Sequence, residues 1–285
     1  MSKVRLTGFG DEIAASLEDQ LSFMEKLGIS ALEARGVNGV NVSSLTEAQA
    51  LEARNTLDAH GFEVSALGSP IGKSDIKEDF GKALDAFRHT LDVARILRAP
   101  AIRLFSFYVP DAASDEFGDE SLGRLARFKE AAAGSGVTLL HENESGIFGE
   151  TPEHCLRIAR ELCGDGFALI FDPSNFVQRG WDVMEAWRML KPYVRYMHIK
   201  DSIRLPEGTD AHAVNPHRVS GAGEAHLRDI LADLKTEGYE GYLSLEPHLT
   251  NSTFVSGTKA GKWAAAALAL QTLLDETGIN WQEEN

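Results

Sequence analysis

The sequence predicts a (β/α)8 barrel, and two observations carry that prediction. Eight short apolar runs, rich in branched residues, each precede a longer amphipathic segment, the pattern of strands followed by helices. Spread over eight such units, 285 residues give about 36 per unit, which is the length of one barrel repeat. An open doubly wound sheet is the rival arrangement. A lone Gly10 after the first run is no Gly-rich fingerprint, and neither G-x-G-x-x-G nor a P-loop occurs.

The units follow in order. A strand at 4–9 leads to a helix at 17–27, closed by Gly28 where a left-handed residue is wanted. A strand at 31–34 leads to a helix at 46–60 and Gly61, and a strand at 63–67 to a helix at 80–97. The fourth strand, 101–107, precedes a helix at 122–135 that ends before Gly136. The fifth, 137–142, precedes a helix at 152–162 opened by Thr151-Pro152-Glu153, a cap with Pro at the first helical position. The sixth, 167–172, precedes a helix at 183–190. After the seventh, 194–200, comes a long connection, 201–225, punctuated by Pro206, Gly208, Pro216, Gly221 and Gly223. A connection of that length is usually a functional loop, and in a barrel it falls on the active-site face. A helix at 227–237 follows and ends at Gly238. The eighth strand, 242–246, leads to a helix at 259–276. No linker-like stretch divides the chain, so one domain over 1–285 is expected.

Composition excludes several classes. Hydrophobic residues make up 43%, with 26 Gly and 9 Pro, which is ordinary globular usage. The balance of 28 basic against 43 acidic residues gives a net charge of −15, unsuited to a nucleic-acid binder, which needs a basic face. The apolar stretch at 263–274 is too short to span a bilayer, and the N-terminus carries no apolar signal core. Cys155 and Cys163 fit a reducing compartment, so a cytoplasmic location without membrane contact is expected.

The informative residues are polar ones inside strands. Strands of a barrel are covered on both faces, so their interior polar side chains need a reason. Alternation puts Tyr242, Ser244 and Glu246 on one face of the eighth strand. It groups Ala168, Ile170 and Asp172 on the sixth, and His198 and Lys200 on the seventh. Glu142, Asp172, His198 and Glu246 then converge at the barrel mouth. Three carboxylates packed together repel, and a divalent cation removes that repulsion. Three oxygen donors and one imidazole suit a six-coordinate ion such as Mn²⁺ or Mg²⁺, with Co²⁺ and Zn²⁺ as alternatives, and leave room for two substrate oxygens.

These motifs resemble the xylose-isomerase-like barrels of sugar isomerases and epimerases, over essentially the whole chain. The resemblance rests on His-Glu-Asn-Glu at 141–144, Phe-Asp-Pro-Ser-Asn at 171–175, His-Ile-Lys-Asp at 198–201, Gly-Ala-Gly at 221–223 and Leu-Glu-Pro at 245–247. Gly-Phe-Gly-Asp-Glu-Ile at 8–13, Glu-Ala-Arg at 33–35 and Gly-Ser-Pro-Ile-Gly-Lys at 68–73 agree with it. In the tagatose- and psicose-epimerase branch, residues at these positions bind one divalent metal. The resemblance therefore implies Glu142, Asp172, His198 and Glu246 as ligands, with Glu142 and Glu246 also moving the substrate proton. Arg204, six residues after His198, implies a substrate contact. The chain departs from that branch in two places. Asn175 stands where a His is usual, and Phe148 where another Glu is usual, which argues against a plain ketohexose epimerase.

The expected activity is a metal-dependent isomerase or epimerase acting on a ketose or keto-sugar, phosphorylated or inosose-like variants included. Removing a proton beside a carbonyl gives an enediolate. Inverting or isomerising reprotonation makes an epimerase or isomerase, and loss of a β-hydroxyl makes a dehydratase. Asn175, Lys200, Arg204, Arg35 and Lys73 are the substrate-binding candidates. Glu33 and Arg35 share a face and are read as an internal ion pair or a substrate contact. Asp201 is read as an orienter of His198 or as a loop start, and Gly221-Ala222-Gly223 as an oxygen cradle or a plain turn. His141 reads as structural, Trp181 as packing, and His212 and His217 as solvated loop residues. The rivals are a non-catalytic sugar-binding barrel and an abasic-site endonuclease. The endonuclease needs three zinc ions, extra His ligands and a basic face. A homodimer or homotetramer is implied by resemblance alone.

Overall fold

In a computed structural model, which describes residues 3–206, 209 and 214–281, the eight predicted strands form one parallel barrel. They are β1 Arg5–Gly8, β2 Ala31–Ala34, β3 Glu63–Leu67, β4 Ala101–Leu104, β5 Thr138–Glu142, β6 Phe167–Phe171, β7 Val194–Ile199 and β8 Tyr242–Leu245. Each pairs with its sequence neighbour from β2 to β8, β8 pairs with β1, and β1 lies beside β2 to complete the ring. His212 lies outside the described residues.

Two cores explain the strand pattern. Outward-facing residues such as Ile102, Leu139, Leu169, Met197 and Leu243 join the large apolar layer beneath the helices. Inward-facing Ala66, Ala101, Leu140, Ala168, Ile170 and Tyr196 fill the barrel interior. The same alternation then carries Glu142, Asp172, His198 and Glu246 to the interior side at the C-terminal ends.

The helices are α1 Leu17–Glu25, α2 Glu47–Ala59, α3 Phe80–Leu97, α4 Gly118–Ala132, α5 Pro152–Leu162, α6 Pro173–Arg179, α7 Val183–Leu190, α8 Leu227–Thr236 and α9 Lys259–Thr277. Thr151 caps α5 through the N–H of His154, as its sequence implies. The sequence reading missed α6. It is only seven residues long and follows Asp172 directly, too short to show a 3.6-residue period. The fourth helix begins earlier than predicted, at Gly118 rather than 122, and the fourth strand stops at Leu104 rather than 107. The long connection after β7 is partly ordered: Asp201–Ser202 pairs antiparallel with His217–Arg218. Among the described residues, no helix is long and apolar enough to cross a membrane.

Candidate metal centre

Glu142 ends β5, while Asp172 and Glu246 stand one residue beyond β6 and β8, and His198 is the penultimate residue of β7. One ligand atom from each lies within 4.8 Å of the others, and all four residues are buried. Donors around a single cation at about 2.2 Å are at most about 4.4 Å apart, so the cluster is close to the size one ion requires.

Local structure aims each group. Asp172 caps α6: its Oδ1 accepts the N–H of Ser174 at 2.9 Å and of Asn175 at 3.1 Å. Its buried Oδ2 is paired with Lys200 Nζ at 2.6 Å. His198 turns Nδ1 toward Glu142 Oε1 at 3.0 Å and Glu246 Oε2 at 3.3 Å. Glu142 Oε2 accepts from Arg103 Nη1 at 3.1 Å. Glu246 Oε1 accepts from Arg35 Nη1 at 3.0 Å. Three carboxylates and one imidazole nitrogen, all aimed inward with one donor atom each within 4.8 Å of the others, form a donor set that fits a divalent cation.

The protonation pattern follows from burial and charge. Burial raises the Glu142 carboxyl, but His198 and Arg103 outweigh it and bring it down to about 2. Glu246 is likewise held well below the carboxylate range, because Lys200 and His248 overcome its desolvation. Asp172 goes the other way: burial lifts it to about 6 although Lys200 opposes. Burial pushes the His198 imidazole down, but Glu142 and Glu33 hold it well above the usual histidine value. Lys200 is raised, Asp172 and Glu246 overcoming burial.

The substrate-binding candidates divide into two groups. Lys200 reaches both Asp172 and, at 3.4 Å, Glu246. Asn175 donates to the carbonyl of Asn143 at 2.8 Å and approaches Glu142 at 3.5 Å. Arg35 contacts Glu246 and lies over the Phe9 ring at 4.2 Å. The other two stand apart from the four ligands. Lys73 pairs with Glu144 at 2.8 Å over the Phe105 ring. Arg204 donates its backbone N–H to Glu224 Oε2 at 3.1 Å, and its guanidinium lies against Gly180 at the end of α6.

Other expectations need correction. Glu33 and Arg35 do not pair. Glu33 points into the barrel with no exposed surface, while Arg35 lies beyond the end of β2 and reaches Asp11 and Glu246. Asp201 orients no ligand: its carboxylate accepts the N–H groups of Ser202, Gly221, Gly223 and Ala225, so it ties down the loop return. Those amides are therefore taken and offer no oxygen cradle. His217 is no solvated loop residue. It packs 5.3 Å from His248, and burial, aided by Lys200, lowers it to about 3. His141 is structural as expected: fully buried, it packs under Gly149, and burial lowers it to about 4.

The sequence reading overlooked Arg103 and the Glu12–His248 pair. Arg103 announces itself as a charged residue on the inner face of β4, two positions after inward Ala101. Glu12 ends a single 3-10 turn, Gly10–Glu12, and His248 lies on a loop, so no period marks either. Glu12 holds His248 by its backbone N–H at 2.9 Å and its Nδ1 at 3.1 Å, with Nε2 3.4 Å from Glu246. His248 adopts a left-handed backbone, φ 50°, to make these contacts. Glu246 and Glu12 together overcome burial and raise it to about 9.

Comparison with known proteins agrees with this architecture. The zinc-bound IolI protein superposes with a TM-score of 0.79 at 16% identity, over 96% of this chain and 99% of that one. The probable 3-DHS dehydratase AsbF of petrobactin synthesis in Bacillus anthracis superposes with a TM-score of 0.72 at 17% identity, over 94% and 98%. An uncharacterised protein of Methanocaldococcus jannaschii is 23% identical over 192 residues, 64% of this chain and 63% of that protein. The match thus spans less than two thirds of that relative. The family model for xylose isomerase-like TIM barrels matches residues 21–273, and the chain belongs to that family.

Proposed function

We propose that this protein is a divalent-metal-dependent isomerase or epimerase of a small keto-sugar or keto-cyclitol, with Glu142, Asp172, His198 and Glu246 as metal ligands. The observation that carries the reading is the cluster itself: one donor atom from each of these four buried residues lies within 4.8 Å of the others. A bound cation polarises a substrate carbonyl and so acidifies the neighbouring C–H. Mn²⁺ and Mg²⁺ suit the oxygen-rich donor set, and Zn²⁺ or Co²⁺ are accommodated by it.

The chain's own residues supply the proton chemistry. Glu142 and Glu246 are both held ionised, so either can take the proton. Return from the opposite carboxylate inverts the carbon, and return to the adjacent carbon isomerises the substrate. Arg103 fixes Glu142 and Arg35 fixes Glu246, which limits both to narrow arcs. Lys200 stands within reach of a developing oxyanion beside Asp172. Asn175 hydrogen-bonds a sugar hydroxyl but transfers no proton near neutral pH. Arg204 and Lys73, which stand apart from the four ligands, serve the outer substrate groups.

A second reading, β-elimination, is favoured by His248. Raised to about 9, its imidazolium lies 3.4 Å from Glu246 and is a proton donor suited to a leaving hydroxyl. The test is proton NMR in D2O with Mg²⁺ or Zn²⁺ and a panel of ketoses, inososes and 3-keto sugars. Wild-type protein exchanges the proton beside the carbonyl, and Glu142→Gln or Glu246→Gln abolishes the exchange. Retained exchange in either variant removes that residue from the proton transfer. Appearance of an unsaturated product replaces the isomerase reading with the elimination.

A further inference from the structure

Beneath the metal centre lies a chain of polar groups that the proposed proton transfer does not use. Glu33, on β2, is fully buried in the barrel interior. Its carboxylate faces the imidazole of His198, with Nε2 3.2 Å from one oxygen and 3.3 Å from the other. Ser244 Oγ donates to Glu33 at 2.5 Å and the Tyr196 hydroxyl at 3.0 Å. Behind Tyr196, Ser65 bonds its hydroxyl at 2.9 Å and Thr7 bonds Ser65 at 2.8 Å. Five strands thus contribute side chains to one buried network, since Thr7 lies on β1, Glu33 on β2, Ser65 on β3, Tyr196 on β7 and Ser244 on β8.

We propose that Glu33 is a positioning residue for His198: it accepts the imidazole Nε2–H and so commits the Nδ1 lone pair to the cation. The inference rests on reading residues 142, 172, 198 and 246 as a metal centre. Its geometric ground is that the two ring nitrogens face different partners. Nδ1 meets Glu142 and Glu246, while Nε2 meets only Glu33 in the hydrogen bonds and ion pairs of the described residues. The ring plane is set independently by edge-on contacts with Phe9 at 5.4 Å and Tyr196 at 5.9 Å. A neutral imidazole has one donor and one acceptor nitrogen, so a fixed acceptor on one side decides which nitrogen can bind a metal. A carboxylate in this place also makes the ligand nitrogen more electron-rich and holds the ring against rotation. Three donors converge on Glu33, an arrangement a carboxylate accepts and a carboxamide cannot, because half of the amide is itself a donor.

Two readouts test the role in purified full-length protein stripped with a chelator. The first is the affinity for Mn²⁺ by calorimetric titration. The second is the His198 Nε2–H resonance of the Zn²⁺-loaded protein in ¹H–¹⁵N spectra, which a carboxylate acceptor shifts far downfield. Glu33→Gln is expected to weaken Mn²⁺ binding about 10–100-fold and to move that resonance upfield. Tyr196→Phe combined with Ser244→Ala keeps the carboxylate but removes two of its donors, and is expected to give a smaller loss with a shift of the same resonance. A purely structural role would lower the melting temperature without moving the resonance. If Glu33→Gln fails to fold, the double variant decides by the same readouts. Unchanged affinity and an unmoved resonance in the folded variant overturn the inference while leaving the metal centre intact. Failure of the wild-type protein to bind Mn²⁺ or Zn²⁺ overturns the metal centre and the inference with it.

Discussion

Replacing Lys200 by Met probes the charge balance of the site directly. Met keeps most of the volume but leaves Asp172 Oδ2, 2.6 Å from the missing ammonium, without a counter-charge in a fully buried place. At an effective dielectric of about 20 the lost attraction is about 6 kcal/mol, and removing one partner of a buried pair typically costs about 3–5 kcal/mol in net stability. Asp172 escapes part of that cost by taking up a proton. Burial already lifts it to about 6 with Lys200 present, and without that cation it rises further. Above pH 6 the folded variant therefore binds one more proton at Asp172 than its unfolded chain, while folded wild-type protein does not. Stability of the variant relative to wild type should fall by about 1.4 kcal/mol for each pH unit between about 6 and 8. Urea unfolding followed by circular dichroism at pH 6, 7 and 8, in EDTA, measures this. Mn²⁺ supplies the missing positive charge, so at 100 times its dissociation constant it should restore about 2.7 kcal/mol. Binding displaces the proton that Asp172 has taken up, so the affinity of the variant for Mn²⁺ should rise with pH over the same range. A loss under about 1 kcal/mol at pH 7, or a difference that does not change with pH, refutes the reasoning.

Arg103→Met leaves Glu142 Oε2 without its 3.1 Å partner, and should cost about 3–5 kcal/mol and abolish proton exchange. Thermal unfolding and the D2O assay check both, and wild-type exchange rates in a stable variant would remove Arg103 from the site. His141, buried and lowered to about 4, is neutral when folded and charged in acid when unfolded. Its contribution is complete above pH 6.5 and is lost as pH falls through 4, about 3 kcal/mol in all. A His141→Gln variant should show a flatter stability profile between pH 6.5 and 4. Gly72 has φ +85°, and a Cβ there would meet the Phe105 carbonyl oxygen at 2.0 Å. Gly72→Ala should therefore unfold at a visibly lower temperature, and an unchanged melting point would contradict the backbone path beside β4.

Alternation along β5, β6, β7 and β8 was enough to bring Glu142, Asp172, His198 and Glu246 together. Inside a closed barrel the face of a residue depends only on its parity along the strand. Glu33 and Arg103 were within reach of the same rule, since both sit on inner faces of predicted strands. Their partners were not, because Glu33 meets His198 across 165 residues of sequence and Arg103 meets Glu142 across 39. Arg35 shows the limit: parity placed it beside Glu33, and a flexible side chain past the strand end carried it to Asp11 and Glu246 instead.

Local patterns along the chain were enough for the barrel, the order of its units, the end that carries the candidate site, and the four residues of the candidate metal centre. Each of these follows from local periodicity, which survives in one dimension. What surrounds those four came from the folded barrel: the Glu33 network below, Arg103 and Arg35 at the flanks, and Glu12 with His248 at the rim. The fold also decided that Asp201 takes the Gly221 and Gly223 amides for itself. Those partnerships depend on which side-chain ends meet after eight strands close into a ring, and no local pattern in the sequence records that meeting.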